Sequence, residues 1–179
     1  MGRLSPEKNV RVLRDVEQTL LAAGLKHFRL LIVGDGHERL WLKTNLRHAE
    51  FTGVLRGEAL ARAYANMDVF AFPSHTDTFG NVVLEAMASE VPTVITSSGG
   101  PKYLVTSGSS GLVAHDDASF LRHVQDLACD PDLRWRMGVR AREAAMCRYW
   151  PRIFEQVYDA YKYCLHMPAP VVAEAVAQT

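Results

Sequence analysis

The chain has 179 residues, with 20 Lys+Arg balanced by 20 Asp+Glu; 48% of residues are hydrophobic and 22% charged. That is one domain's length, apolar enough to bury a core, and it lacks the basic footprint of a nucleic-acid binder. No apolar run approaches the ~20 residues of a membrane span, and residues 1–8 lead into no signal-peptide core. Cys129, Cys147 and Cys164 are odd in number and widely spaced. They fit reduced thiols of a cytoplasmic protein better than a disulfide scaffold or a zinc site.

Residues 6–23 are predicted helical, because Val10, Leu13, Val16, Leu20 and Leu21 recur at helical steps and Gly24 follows. The apolar run 28–33, stopped by Gly34-Asp35-Gly36, suits a strand buried on both faces. A helix over 38–46, a strand over 50–53, a helix over 58–66 and a strand over 69–73 follow, then a helix over 81–89 and a strand over 92–96. Such alternation predicts right-handed βαβ units in a doubly wound, Rossmann-like parallel sheet. The last third reads as helices over 117–128, 130–148 and 150–165, opened by Asp or Pro. One domain is expected over 1–166, with a loose tail over 167–179.

The stretch with most chemistry is Pro73-Ser74-His75-Thr76-Asp77-Thr78-Phe79-Gly80-Asn81-Val82-Val83-Leu84-Glu85. A strand ends, a polar loop follows, and Gly80 opens a helix whose first amides, from Asn81, Val82 and Val83, can face an anion beyond the strand ends. Asp77 and Glu85 bracket that place, and carboxylates suit sugar hydroxyls rather than phosphate. The plainer alternative has Asp77 capping a turn and Glu85 on a solvated helix face.

Asp77 to Ala88 resembles the acid, seven residues, acid signature of retaining GT-B glycosyltransferases of family 4. Other segments agree in order: Gly2-Arg3-Leu4 with Glu7-Lys8-Asn9, Val33-Gly34-Asp35-Gly36, Phe51 to Leu55, Ala65 to Ser74, and Gly99-Gly100 followed by Gly108 to Val113. The resemblance implies the C-terminal, donor-binding half of a GT-B fold. It implies that Arg3 and Lys8 hold the donor diphosphate, Asp77 meets the donor sugar, and Glu85 binds the ribose. It places backbone groups of Phe79 and Gly80 beside the sugar, the Asn81–Val83 turn at the diphosphate, and Gly53, Val54 and Leu55 at the base. The donor is then a UDP-, GDP- or ADP-sugar, with GDP-mannose or a UDP-hexose leading. Neither metal nor cofactor is expected, and transfer retains configuration.

Three positions depart from the pattern: Asp77 where Glu is commoner, Glu90 where Gly is usual, and Tyr103 where an acid is often found. The acceptor-binding domain and the strand before Gly2 are not in the sequence, so the chain is read as a fragment that is inactive without that domain. Two rivals are a stand-alone nucleotide-sugar module with a separate partner and a non-catalytic remnant; a dehydrogenase is weaker, since Gly34-Asp35-Gly36 lacks the third glycine. His75 is read as a solvent-facing loop residue, and Cys147 and Cys164 as small core residues. The stripe Trp150, Phe154, Val157, Tyr158, Tyr161 and Leu165 is read as ordinary packing, with partial exposure the alternative. Arg134, Arg136, Arg140, Arg142 and Arg148 could face anionic lipid on the inner membrane face, but Asp130, Asp132 and Glu143 dilute them toward a solvated helix face.

Overall fold

In a computed structural model describing residues 1–148 and 150–166, the first expected helix is broken. A short 3-10 turn covers Pro6–Lys8, Asn9 adopts left-handed backbone (φ 50°), and only then does α1 run from Val12–Ala22. Apolar periodicity cannot register such a break, because Val10 keeps its place in the stripe on either side of it.

The elements then alternate: β1 (Leu30–Val33), α2 (Arg39–Asn45), β2 (Ala49–Gly53), α3 (Gly57–Ala65), β3 (Phe70–Phe72), α4 (Asn81–Ala88) and β4 (Thr93–Thr96). A strand that the sequence pattern does not separate from its glycine-rich loop, β5 (Gly111–Ala114), precedes α5 (Asp117–Cys129) and α6 (Pro131–Met146). All ladders are parallel, with order β1-β2 in one sheet and β3-β4-β5 in another.

Helices cover both faces of the three-stranded sheet, and β4 shows how. Ile95 packs with Tyr64, Val83, Met87 and Ala141 from α3, α4 and α6. Its neighbour Val94 packs the other way, with Val16, Phe120 and Leu127 from α1 and α5. Successive strand residues point to opposite faces, so a strand apolar on both must be sandwiched. This is the doubly wound arrangement expected. The helix α5 opens with a reciprocal cap, in which Asp116 accepts from the Ser119 amide at 2.6 Å and the Ser119 hydroxyl faces the Asp116 amide.

Residues Met1–Met146 form one unit and Cys147–Thr179 a second. In the second, α7 runs over Trp150–His166. Its Phe154, Val157, Tyr158, Tyr161 and Leu165 are exposed, which favours the partial-exposure alternative over ordinary packing for these positions. Cys147 and Cys164 are exposed as well, against the reading of them as core residues. Periodicity marks an apolar face without saying what covers it. The tail over 167–179 lies outside the described residues. Among the described residues, no helix is long and apolar enough to cross a membrane.

Candidate functional site

Two glycine clamps position the site. The first seats the N-terminal segment on the turn after β1. Gly2 donates its amide to the Val33 carbonyl (3.0 Å) and Leu4 to the Asp35 carbonyl (2.9 Å). A Cβ on Gly34 would lie 1.8 Å from the Gly2 carbonyl oxygen, and one on Gly36 2.2 Å from that of Leu4. Only glycine lets two backbones approach so closely. The second clamp seats the loop after β3 on the turn after β4. Gly100 donates to the Asp77 carbonyl at 2.8 Å. A Cβ there would lie 1.8 Å from the Thr78 carbonyl oxygen.

Further contacts lash these segments together. The buried Thr96 hydroxyl donates to the Ser74 carbonyl at 2.6 Å, tying β4 to the start of the loop. Across the loops, Asn9 lies 3.2 Å from the exposed His75 ring and donates to Asp117 at 3.3 Å, and Thr76 donates to the Glu7 carbonyl at 3.4 Å. The Ser5 hydroxyl, 2.6 Å from the Glu7 carboxylate, is the main reason that acid sits below its ordinary range.

Between the clamped loops Lys8 and Asp77, far apart in sequence, form an ion pair at 2.6 Å with about a quarter of each side chain exposed. Arg3 is exposed, and it lines the same cavity as Lys8, Asp77 and Val82. Phe79 is exposed, and Gly80, in the left-handed region (φ 90°), caps α4 with Pro101 packed against it. The first turn offers the amides of Asn81 and Val82. It does not offer that of Val83, which is donated to the Gly80 carbonyl at 2.9 Å while its side chain is fully buried. The Gly53 carbonyl accepts from Gly34 at 2.7 Å, which holds the loop that exposes Val54 and half-exposes Leu55 beside the first clamp.

Glu85 is exposed, with a different partner from Lys8 and Asp77. The buried Tyr64 of α3 donates its hydroxyl to Glu85 Oε2 at 2.8 Å. Burial, reinforced by that carboxylate, pushes the Tyr64 phenol well above its ordinary value, so it stays a donor. The sequence reading missed Tyr64, whose only local signal is an aromatic residue near the end of a helix. The arginines of α6 separate: Arg134 caps α5 through the Leu127 and Ala128 carbonyls, and Arg142 pairs with Glu90 at 3.7 Å. Glu90 has φ 62°, the strained backbone its place at the helix end implied.

Residues 1–130 match the family model described as glycosyl transferases group 1. A GDP-mannose-dependent alpha-mannosyltransferase of Mycolicibacterium smegmatis is 40% identical over 168 residues, which is 92% of this chain and 42% of that protein. The Mycobacterium tuberculosis protein of the same description is 37% identical over 162 residues, covering 90% and 41%. The chain therefore spans about two fifths of the length of these relatives. Among solved structures, the C-terminal domain of a glycosyl transferase group 1 family protein (LpcC) from Francisella tularensis superposes with a TM-score of 0.69 at 18% identity, over 83% of each chain. Anabaena Alr3699/HepE in complex with UDP and glucose gives 0.72 at 22% identity, over 90% of this chain and 47% of that one. At these identities the likeness is one of fold.

Proposed function

Because the chain belongs to the glycosyl transferases group 1 family and has the fold of a GT-B C-terminal domain, we propose that it is the donor-binding half of a retaining, metal-independent family 4 enzyme. The observation that carries this reading is the meeting of Lys8 and Asp77 at 2.6 Å beside the opening turn of α4. A cation, an acid and helix-end amides converge beyond the carboxyl ends of the strands, where open α/β sheets bind ligands.

In this reading Arg3, Lys8 and the Asn81 and Val82 amides hold the donor diphosphate. As the bond from the sugar to the diphosphate breaks, negative charge grows on the leaving phosphate, and these fixed donors stabilise it there. No protein nucleophile or metal is needed for that step. Asp77 accepts from a sugar hydroxyl once Lys8 turns to phosphate, with Phe79 and Gly80 framing the sugar. Glu85 accepts from the ribose while Tyr64 fixes its orientation, and the backbone of Gly53, Val54 and Leu55 meets the base. The two mannosyltransferase relatives support GDP-mannose as the first donor to try, ahead of UDP-hexoses and ADP-sugars.

A closed site also needs an acceptor-binding half, in the same polypeptide or in a partner chain. The chain alone is expected to bind donor in the cytoplasm or at the inner membrane face, with negligible transfer. Thermal melts with GDP, UDP and ADP test this. One nucleotide, GDP first, should raise the melting temperature by mass action, and Glu85→Ala should reduce the rise markedly at the same nucleotide concentration. A melt that no nucleotide moves overturns the reading.

A further inference from the structure

Two loop segments carry the Lys8–Asp77 pair, and each is anchored at its ends. Residues 5–9 run from Leu4, whose amide is held by Asp35, to the start of α1 at Val12. Residues 74–77 are held by Thr96 at the Ser74 carbonyl and by Gly100 at the Asp77 carbonyl. Among the described residues three polar contacts join one segment to the other. They are Lys8 to Asp77 at 2.6 Å, the Thr76 hydroxyl to the Glu7 carbonyl at 3.4 Å, and Asn9 to the His75 ring at 3.2 Å.

The third contact fixes a protonation state. Asn9, next to Lys8, has the left-handed backbone (φ 50°) that asparagine tolerates better than most residues. Its Nδ2 lies 3.3 Å from Asp117 Oδ1 at the head of α5 and 3.2 Å from His75 Nε2. An ionised carboxylate only accepts, so the end of the amide that faces Asp117 is the nitrogen, with two hydrogens to give. The same nitrogen meets the ring, so His75 Nε2 accepts. In this arrangement the ring is neutral and carries its proton on Nδ1. A charged ring has protons on both nitrogens and accepts nothing. Asn9 then keeps Asp117 or turns its oxygen to the ring, and one of its two ties is lost.

We propose that Asn9 and His75 are positioning residues: together they form a strut that holds the segments of Lys8 and Asp77 at their spacing, and protonation of the His75 ring opens it. The consequence for binding rests on the donor reading, in which Lys8 leaves Asp77 for phosphate. Once that ion pair opens, the strut and the longer Thr76 bond are what still join the two segments. The site is then ordered for a diphosphate donor at a pH where the ring is neutral. The other titratable groups on the segments that meet here are Glu7 and Lys8 on the turn and Asp77 on the loop. His115, Asp116 and Asp117 stand at the head of α5.

The strut is tested by NMR on the ligand-free chain, apart from the donor reading, at about pH 8 and about pH 5, which bracket the charge change of imidazoles. At the higher pH, nitrogen spectra should show the His75 proton on Nδ1, the minor form of an unconstrained imidazole. Asn9→Gly keeps the left-handed backbone and should return the proton to Nε2. Backbone order parameters at Lys8, Asn9 and Thr76 should be about 0.85 in the parent at the higher pH. They should fall below about 0.6 in Asn9→Gly, and in the parent at the lower pH. His75→Gln offers an uncharged acceptor near the place of Nε2 and should stay ordered at both. A parent ring with its proton on Nε2, or equal order in parent and Asn9→Gly, overturns the proposal. So does a loss of order at the lower pH that persists in His75→Gln, which assigns it to His115 or a carboxylate. Should Val94 and Ile95 of β4 lose order there as well, the chain is unfolding and the spectra at the higher pH decide. Calorimetry with GDP-mannose, whose diphosphate keeps its charge across this range, carries the strut to binding. Affinity should fall about fivefold in Asn9→Gly, and as much at the lower pH in the parent but not in His75→Gln. Equal affinity of parent and Asn9→Gly overturns the proposal, whereas binding by neither overturns the donor reading and leaves the spectra to decide the strut.

Discussion

β4 lies between β3 and β5 and is buried along its whole length, whereas β1 has β2 on one side only and buries two of its four residues. Both regions carry a glycine clamp of the same kind. Gly34 and Gly36 receive the backbone of Gly2 and Leu4; Gly99 and Gly100 receive that of Asp77 and Thr78. The first clamp delivers Arg3 and rests on a strand with an open edge. The second delivers Asp77 and rests on a strand sandwiched between neighbours and helices. The difference teaches that the cationic and acidic sides of the site have different foundations, and that losing sheet order at β1 would release the cations first.

Five expected outcomes would break or sharpen this contrast. Phe120, fully buried against β4, should cost about 3–5 kcal/mol on Phe120→Ala, and Leu31→Ala on the open edge less than half as much, in denaturant unfolding. Equal losses would mean that the two regions are equally supported. Next, stability should depend on pH through Met1. Its ammonium titrates near 6 in the fold against 8.0 when solvated, so the unfolded chain binds more protons between those values. Stability therefore rises as pH goes from 6 to 8, by up to about 2–3 kcal/mol, and acetylating Met1 should flatten that slope.

On the better-founded side, Glu85→Ala should weaken nucleotide binding about 10–100-fold by calorimetry with little change in melting, as for a hydrogen bond to a charged group. Tyr64→Phe should weaken binding less, about 5-fold, because it frees the carboxylate's orientation without removing it. The smallest effect is expected at Glu90. Glu90→Gly should stabilise the fold by about 1 kcal/mol in the same denaturant assay, by relieving left-handed backbone, since the exposed pair with Arg142 at 3.7 Å adds little.

Most of the fold was legible because its strands are short apolar runs ended by glycine or proline, and its helices carry the longer period. β5 was not, since Gly111-Leu112-Val113-Ala114 offers two large apolar residues in a loop rich in glycine and serine. The break at Asn9 was hidden because a left-handed residue leaves no mark on hydrophobic spacing. Within the candidate site, the family resemblance singled out Lys8, Asp77 and Glu85, while the pairing of Lys8 with Asp77 at 2.6 Å is visible only in the structure. Tyr64 was not singled out, because the bond that gives it meaning crosses from α3 to α4. The exposure of Cys147, Cys164 and the α7 aromatics was equally hidden, since it depends on what a helix face meets.

The Lys8–Asp77 pair has a consequence for selectivity. An arriving anion meets a cation already neutralised, so lone phosphate gains little by displacing the carboxylate. A lone sugar gains as little by displacing the ammonium. One molecule carrying both a phosphate oxygen and a hydroxyl at the right separation replaces both partners at once and loses its freedom of motion only once. Under the proposed function the pair would act as a coincidence detector. It weights the pocket toward ligands that bring both groups covalently joined, so that a nucleotide, held also through its base and ribose, binds less tightly than the nucleotide with its sugar attached.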